Sequence, residues 1–242
     1  MFLSKLFFGD YSKVGLNNKI IRHSWIQKTL TSLPEGESIL DAGAGECQFK
    51  KYCTHLKYTS QDFAQYDGSG DGKGIQTGSW DNTKLDIVSD ITNIPVPDNS
   101  FQNIMCIEVL EHLPDPVAAI KELVRILKPN GKLIITSPFA SLTHYAPYHF
   151  AVGFNKYFYI HWAKELNLEV SELSYNGNYF EFLAQEIRYS EQAASLYAKR
   201  KISFLEKIAM RKILAGLQKS SEQNIGSEDL LIFGVHFIGE KL

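Results

Sequence analysis

The sequence is poor in cysteine, in long apolar runs and in excess charge of either sign. Its 242 residues hold three cysteines, Cys47, Cys53 and Cys106. That odd number, at spacings that suit no metal-binding pair, excludes a disulfide framework and a zinc finger; no metal centre is expected. Scarce cysteine fits a reducing cytoplasm. No run approaches the roughly 18 apolar residues of a membrane span. The opening stretch, Met1 to Asp10, is apolar but interrupted by Lys5, too short for a secretion signal and without a small-residue cleavage site. A soluble protein is expected. Twenty-five Lys and Arg against 27 Asp and Glu leave a net charge of −2. A general nucleic-acid partner, which demands a basic footprint to neutralise phosphates, is therefore not expected.

What is present is a 44% hydrophobic chain whose short apolar strands alternate with amphipathic helices. Ile21, Trp25, Ile26, Leu30 and Leu33 recur at helical spacing, which predicts a helix over 19–33. Strands are expected at 38–41, 57–61, 85–89, 103–107 and 132–136, with a helix over about 46–54 after the first. Asp115 suits an N-cap and Pro116 a first helical position, with Ile120, Leu123, Val124 and Leu127 facing inward and Pro129-Asn130-Gly131 as the stop. Beyond Pro138 come an aromatic, histidine-containing stretch over 139–153, a helix near 155–166, a strand at 168–175, helix over 180–218 and a last strand at 229–238. Nearly all-apolar strands interleaved with helices predict an α/β fold, a doubly wound sheet covered on both faces. Residues 64–83, with five glycines, are expected to form a long loop.

The chemistry concentrates where strands end. Ile39-Leu40-Asp41 runs into Ala42-Gly43-Ala44-Gly45, whose glycines permit tight backbone geometry and close approach of a ligand. Asp41 at the strand end is suited to a cationic ammonium. Asp62, about 20 residues on, ends the second strand, where a carboxylate accepts both hydroxyls of a ribose. Asp90-Ile91 follows the third strand with the polar and apolar pair an adenine needs. Glu108 ends the fourth. This acidic rim is a poor host for a pyrophosphate, and Gln48 stands where a dinucleotide fingerprint requires its last glycine. A nicotinamide oxidoreductase is the weaker reading.

The ordered set Asp41-x-Gly43-x-Gly45, Asp62, Asp90-Ile91, Glu108-Val-Leu-Glu-His-Leu113 and Leu127-Lys-Pro-Asn-Gly131 resembles class I S-adenosylmethionine-dependent methyltransferases, in particular the broad bacterial methyltransferase-domain group. The resemblance covers about residues 19–175 and the last strand. It implies a Rossmann-like, mostly parallel seven-stranded sheet with a reversed final hairpin, an N-terminal cap over 1–34 and a helical insertion over 180–219, all in a single domain. It also implies S-adenosylmethionine as cofactor. By that similarity Asp41, Gly43 and Gly45 line the methionine end, Asp62 takes the ribose, Phe63 with Asp90 and Ile91 encloses adenine, and Glu108 lies near the methionine amine. Cys47 departs from the pattern, since many members carry a third glycine there.

Methyl transfer to a hydroxyl needs a base, and histidine is the usual one. His144 and His149 lie just beyond the fifth strand, beside the expected methyl position, and are the candidate catalytic residues. His112, in the Glu-His-Leu stretch, is better explained by a structural role, capping the turn after the fourth strand. The 139–153 loop is similar to one in methyltransferases of surface-polysaccharide and sugar-modifying pathways. A small-molecule or sugar acceptor is therefore expected, with Tyr145, Tyr148 and Phe150 as its stacking surface. Tyr11, Lys13, Arg22 and His23 are either a flap over the cofactor or solvated surface. Residues 187–219 carry eight Lys and Arg against two Glu, about +6 locally. Ile202, Leu205, Ala209, Ile213 and Leu217 form a stripe opposite Lys199, Arg200, Lys207 and Arg211. Such a helix lies on an anionic membrane, recognises an acidic acceptor, or docks on its own domain or on a second subunit of a homodimer. A methyltransferase-like partner without catalysis is the rival to an enzyme.

Overall fold

A computed structural model describes residue 11 and residues 13–242. Among these residues seven strands form one sheet: β1 (Ser38–Ala42), β2 (Lys57–Asp62), β3 (Ile87–Val88), β4 (Phe101–Ile107), β5 (Leu127–Pro138), β6 (Leu168–Asn176) and β7 (Gly234–Lys241), in the order β3-β2-β1-β4-β5-β7-β6. The pairings of β1 with β2 and β4, of β2 with β3 and of β4 with β5 are parallel, and β7 runs antiparallel to β5. This is the expected doubly wound sheet with a reversed last strand. The strand order reverses at β1, and a crevice for a ligand opens beyond the carboxyl ends of the strands at such a point.

Among the described residues there are five α-helices: α1 (Asn18–Thr31), α2 (Pro116–Ile126), α3 (Lys156–Glu165), α4 (Tyr179–Tyr197) and α5 (Phe204–Glu222). α2 follows its sequence signals closely. The Asp115 side chain accepts from the Ala118 N–H, Pro116 opens the first turn, and Ala119, Ile120, Leu123, Val124 and Ile126 are buried. Each such valine, leucine or isoleucine side chain removed from water contributes roughly 1.5–3 kcal/mol. Ile26, Leu30 and Leu33 pack with Ile39, Phe49, Cys53, Met105, Ile107 and Ile134 in one core cluster.

Several boundaries differ from expectation. The helix predicted over 46–54 is a run of turns with one 3-10 turn, Lys50–Tyr52. Cys47 takes φ +56° at its start, a left-handed conformation that does not continue a right-handed helix. α2 ends at Ile126, ahead of the expected stop at Pro129-Asn130-Gly131, and the strand already begins at Leu127, with a register shift opposite Phe101 and Asn103. The third strand shortens to two residues and the last moves to Gly234–Lys241, Ser227–Asp229 forming a 3-10 turn instead. The helix predicted over 180–218 is two helices, because the chain leaves helical geometry at Ala198–Ser203, where Lys199 has φ +49° and Ser203 opens α5 with a capping box.

Expected as a single domain, the chain divides into two compact units, one of residues up to Arg22 with Tyr175–Phe233, the other of His23–Ser174 with Gly234–Leu242. The N-terminal segment and the helical insertion thus belong together. In that smaller unit Val14, Ala184 and Leu214 form a core with Tyr11, Ile187 and Leu217 around it. The Gly15 N–H donates to Glu181 Oε2 at 2.6 Å, and Arg188 donates to the carbonyls of Tyr11 and Val14. Tyr11 is thus held by the helical insertion, and Lys13 and Arg22 fall in the same unit, whereas His23 belongs to the larger one and meets Phe49 edge-on. Residues 1–10 and 12 lie outside the described part.

Candidate active site

The larger unit carries the predicted site. β1 delivers Asp41 beside Ser60 of β2, and the turn beyond it is held by the Gly43 and Ala44 N–H groups donating to the Gln61 carbonyl, both at 2.9 Å. Gly43 (φ +76°) and Gly45 (φ +50°) are required twice over. A Cβ on Gly43 would stand 2.5 Å from Val109 Cγ2, and one on Gly45 would stand 2.4 Å from the Trp80 ring. Asp62 closes the turn: its Oδ2 accepts from the Gly45 N–H and its Oδ1 from the Ala64 N–H, each at 2.9 Å.

Asp41 is buried, and Tyr58 Oη donates to its Oδ2 at 2.6 Å. Burial pushes its carboxyl up to about 7, with the Tyr58 hydrogen bond opposing and the Asp62 charge adding to the rise. A buried carboxylate held this way is stabilised by a cation, which suits an ammonium. Glu108, just past β4 at φ +54°, accepts from Thr136 Oγ1 at 2.9 Å and so faces the same edge. Ile91 is buried, and Phe63 is partly exposed with its ring edge-on to Tyr148. Asp90 is exposed, and its Oδ1 accepts from the Thr92 N–H and hydroxyl, both at 2.8 Å. The four predicted acidic residues therefore do line one edge of the sheet.

The loop over 64–83 folds onto this edge. Tyr66 packs edge-on to Trp80 and stacks on Tyr145, with centroids 5.4 and 4.9 Å apart, and Trp80 meets Tyr145 edge-on at 5.6 Å. Ile75 pairs with His144, the Ile75 N–H donating to the Thr143 carbonyl and the Tyr145 N–H to that of Ile75. Of the three aromatics expected to stack on an acceptor, Tyr145 is thus packed inward and Tyr148 meets Phe63, while Phe150 remains exposed.

Beyond β4 and β5 the structure gathers three histidines. The His112 ring centroid lies 4.6 Å from that of His144 and 6.0 Å from that of His149, and those two are 4.8 Å apart. Glu111, its side chain fully buried, places Oε1 3.7 Å from His112 Nε2 and 3.9 Å from His144 Nε2. Its backbone carbonyl accepts from the N–H groups of Phe150 and Ala151, which ties the histidine loop to the end of β4. One ring nitrogen from each histidine lies within 4.8 Å of the others, close enough for the three to hold a metal ion. Cysteine spacing could not reveal this, because the cluster joins residues 32 and 37 positions apart through the fold. Burial, reinforced by the His144 charge, lowers His112 to about 3, and burial also lowers His149. His112 stays neutral at physiological pH. Sequence reasoning missed Tyr58, Trp80 and Glu111; a lone tryptophan in a glycine-rich loop was the one available signal.

Comparison with known proteins agrees with this geometry. Residues 40–135 match the methyltransferase domain family. The chain is 33% identical over 134 residues to the demethylmenaquinone methyltransferase of Chlamydia trachomatis serovar L2, covering 54% of each. It is 50% identical over 38 residues to the ubiquinone biosynthesis O-methyltransferase of Xanthomonas oryzae pv. oryzae, 16% of each. The chain thus spans about half the length, or less, of the curated relatives it matches. A SAM-dependent methyltransferase from Archaeoglobus fulgidus superposes with a TM-score of 0.55 at 15% identity, covering 99% of both chains. The matched segment runs from the end of β1 through β5 and contains every predicted cofactor position. Residues 40–135 thus match a methyltransferase domain, within a chain that has the fold of S-adenosylmethionine-dependent methyltransferases. S-adenosylmethionine is the cofactor that its glycine turn, Asp62 carboxylate and buried Asp41 fit.

Proposed function

We propose that this protein transfers a methyl group from S-adenosylmethionine to a hydroxyl of a small molecule. One juxtaposition carries the reading: the glycine turn with Asp62 at its tip and the Glu111–histidine cluster follow neighbouring strands on the same sheet edge. The bound cofactor supplies an already activated methyl group on a sulfonium. What remains for the protein is to align the acceptor, exclude water and take one proton.

Trp80, Tyr66 and Tyr145 form an aromatic wall between the glycine turn and the histidines. Such a wall holds a flat ring and keeps water from the reacting atoms. The relatives named for demethylmenaquinone and ubiquinone biosynthesis support a small, ring-bearing acceptor. His144 and His149 take the acceptor proton in this reading, with His112 as the group that orients them. Three free thiols, two of them buried, support a reducing cytoplasmic setting.

Titration calorimetry with S-adenosylmethionine, with NAD(H) as control, tests the cofactor. Saturable binding that weakens at least about tenfold in Asp62→Ala is expected, since two backbone donors lose their acceptor. Binding of NAD(H) instead would overturn it. Radiolabel transfer to phenols, nucleotide-sugars and lipid-linked sugars then tests the acceptor. Labelled phenols are expected; cofactor binding with no transfer to any class would favour the non-catalytic partner.

A peripheral membrane contact is proposed for the helical unit. The turn between α4 and α5 exposes Leu196, Tyr197, Phe204 and Leu205 beside Lys199, Arg200 and Lys201. The predicted stripe is only partly inward: Leu214 and Ala215 are buried, whereas Leu205 and Ile213 are exposed. Exposed apolar rings flanked by lysines suit an anionic lipid surface. Among the described residues no helix is long and apolar enough to cross a membrane. Flotation with anionic vesicles, absent with neutral ones and lost in Phe204→Glu, is the expected result.

A further inference from the structure

We propose that His112, His144, His149 and the Glu111 carboxylate form a binding site for a divalent transition-metal ion at the acceptor end of the site. The geometry of the histidines carries the proposal. His112 Nδ1 lies 2.5 Å from the Tyr148 carbonyl oxygen, and His144 Nδ1 lies 2.8 Å from that of Leu142. A carbonyl only accepts, so each Nδ1 bears the proton and each Nε2 presents a lone pair. Both Nε2 atoms face Glu111 Oε1, at 3.7 and 3.9 Å. Two imidazole lone pairs thus turn toward one buried carboxyl group, a donor set that suits a cation.

Two further observations point the same way. His112 Nε2 is buried without a hydrogen bond, and so are both ring nitrogens of His149. A buried polar nitrogen left this way costs about 1–3 kcal/mol, which coordination would recover. The backbone carbonyls that hold the two Nδ1 atoms are the outer partners that fix ring orientation and tautomer in metal-binding histidines. The cluster is also mechanically supported, by the Ile75–His144 pairing and by the Glu111 carbonyl.

Imidazole nitrogens bind at about 2.0–2.1 Å, which sets tetrahedral neighbours about 3.4 Å apart. The ligand atoms now lie within 4.8 Å. The widest pair must therefore close by about 1.4 Å, a distance that side-chain rotation in the 144–149 loop covers. Three imidazoles and one carboxylate suit zinc, cobalt, iron or manganese rather than calcium or magnesium. The site's role in transfer rests on the methyltransferase reading; the binding itself does not. A dication at this place lowers the pKa of an acceptor hydroxyl and fixes its oxygen. With the ion bound the imidazoles serve as its ligands in place of their role as bases, so the proton goes to solvent, the oxygen forms its bond to the methyl carbon, and the carbon–sulfur bond breaks to leave a neutral thioether.

The test is metal binding to the full chain. The protein is stripped with chelator, dialysed and titrated with Co²⁺ followed by visible absorption, then with Zn²⁺ in competition. About one Co²⁺ per chain is expected, displaced by Zn²⁺, with affinity lowered more than about tenfold in His149→Ala and in Glu111→Gln. S-adenosylmethionine titration of the same variants shows that they are folded. No stoichiometric Co²⁺ or Zn²⁺ binding, or binding unchanged in both variants, overturns the metal site and leaves a proton shared between Glu111 and an imidazole. Metal binding that survives while S-adenosylmethionine fails to bind overturns the methyltransferase reading and leaves the metal site standing.

Discussion

The two halves of the site are built in different ways. The cofactor half is assembled from strand ends, where Asp41, Asp62 and Glu108 each sit within a residue of a strand terminus. Parallel pairing brings such ends together without help from distant side chains. The half proposed for the acceptor is assembled from three excursions, the turn after β4, the loop after β5 and the glycine-rich loop after β2, which hold one another by backbone hydrogen bonds and ring contacts. A sheet edge therefore yields a generic cradle, whereas the loops laid across it shape the surface beside that cradle. Loops on a rigid scaffold are where specificity is free to vary.

The sharpest way to separate the halves is to break only the first. Gly45→Val adds a Cβ at φ +50° against the Trp80 ring, so S-adenosylmethionine binding is expected to fall beyond calorimetric detection. Co²⁺ binding at the histidines should persist in that variant. Loss of both would mean that the two halves are not independent.

Asp41 gives the next largest effect, on stability. Its folded pKa of about 7 lies above the unfolded value near 3.8, so the native state holds this proton more tightly. Its contribution is fully present below pH 3.8 and is lost as pH rises through about 7. Asp41→Asn, which keeps an acceptor for Tyr58, should therefore be more stable than the parent at pH 8, by up to about 4 kcal/mol. Denaturant unfolding at pH 5 and pH 8 checks this. Equal stability differences at the two pH values would show that Asp41 is ionised throughout.

Cys47 gives the smallest. It sits at φ +56°, in the left-handed region that a side chain disfavours. Cys47→Gly should relieve strain of about 1 kcal/mol in the turn, partly offset by greater freedom in the unfolded chain. A rise in melting temperature of a few degrees, with cofactor affinity unchanged, is the expected outcome. A fall would mean that the thiol makes a contact worth more than the backbone strain.

Much of this was legible before the structure. α2 is capped by Asp115 and opened by Pro116 as its sequence implies, and the acidic strand ends fall on one edge because strand periodicity and parallel connections leave little choice. The helix after the glycine turn was not legible, because its apolar positions say nothing of the left-handed Cys47 that interrupts it. Nor was the break between α4 and α5, where continuous helical periodicity hides the left-handed Lys199 and the Ser203 cap.

The sequence alone determined the sheet, its glycine turn and the carboxylates at the strand ends, since these depend on patterns within a few residues and on the chirality of strand connections. Only the tertiary structure decided that Tyr58 holds Asp41, that Trp80 covers Gly45 and that Glu111 meets three histidines. Each of these is a contact between residues far apart in the chain. Its existence depends on how loops settle on one another, and no local pattern of residues encodes that.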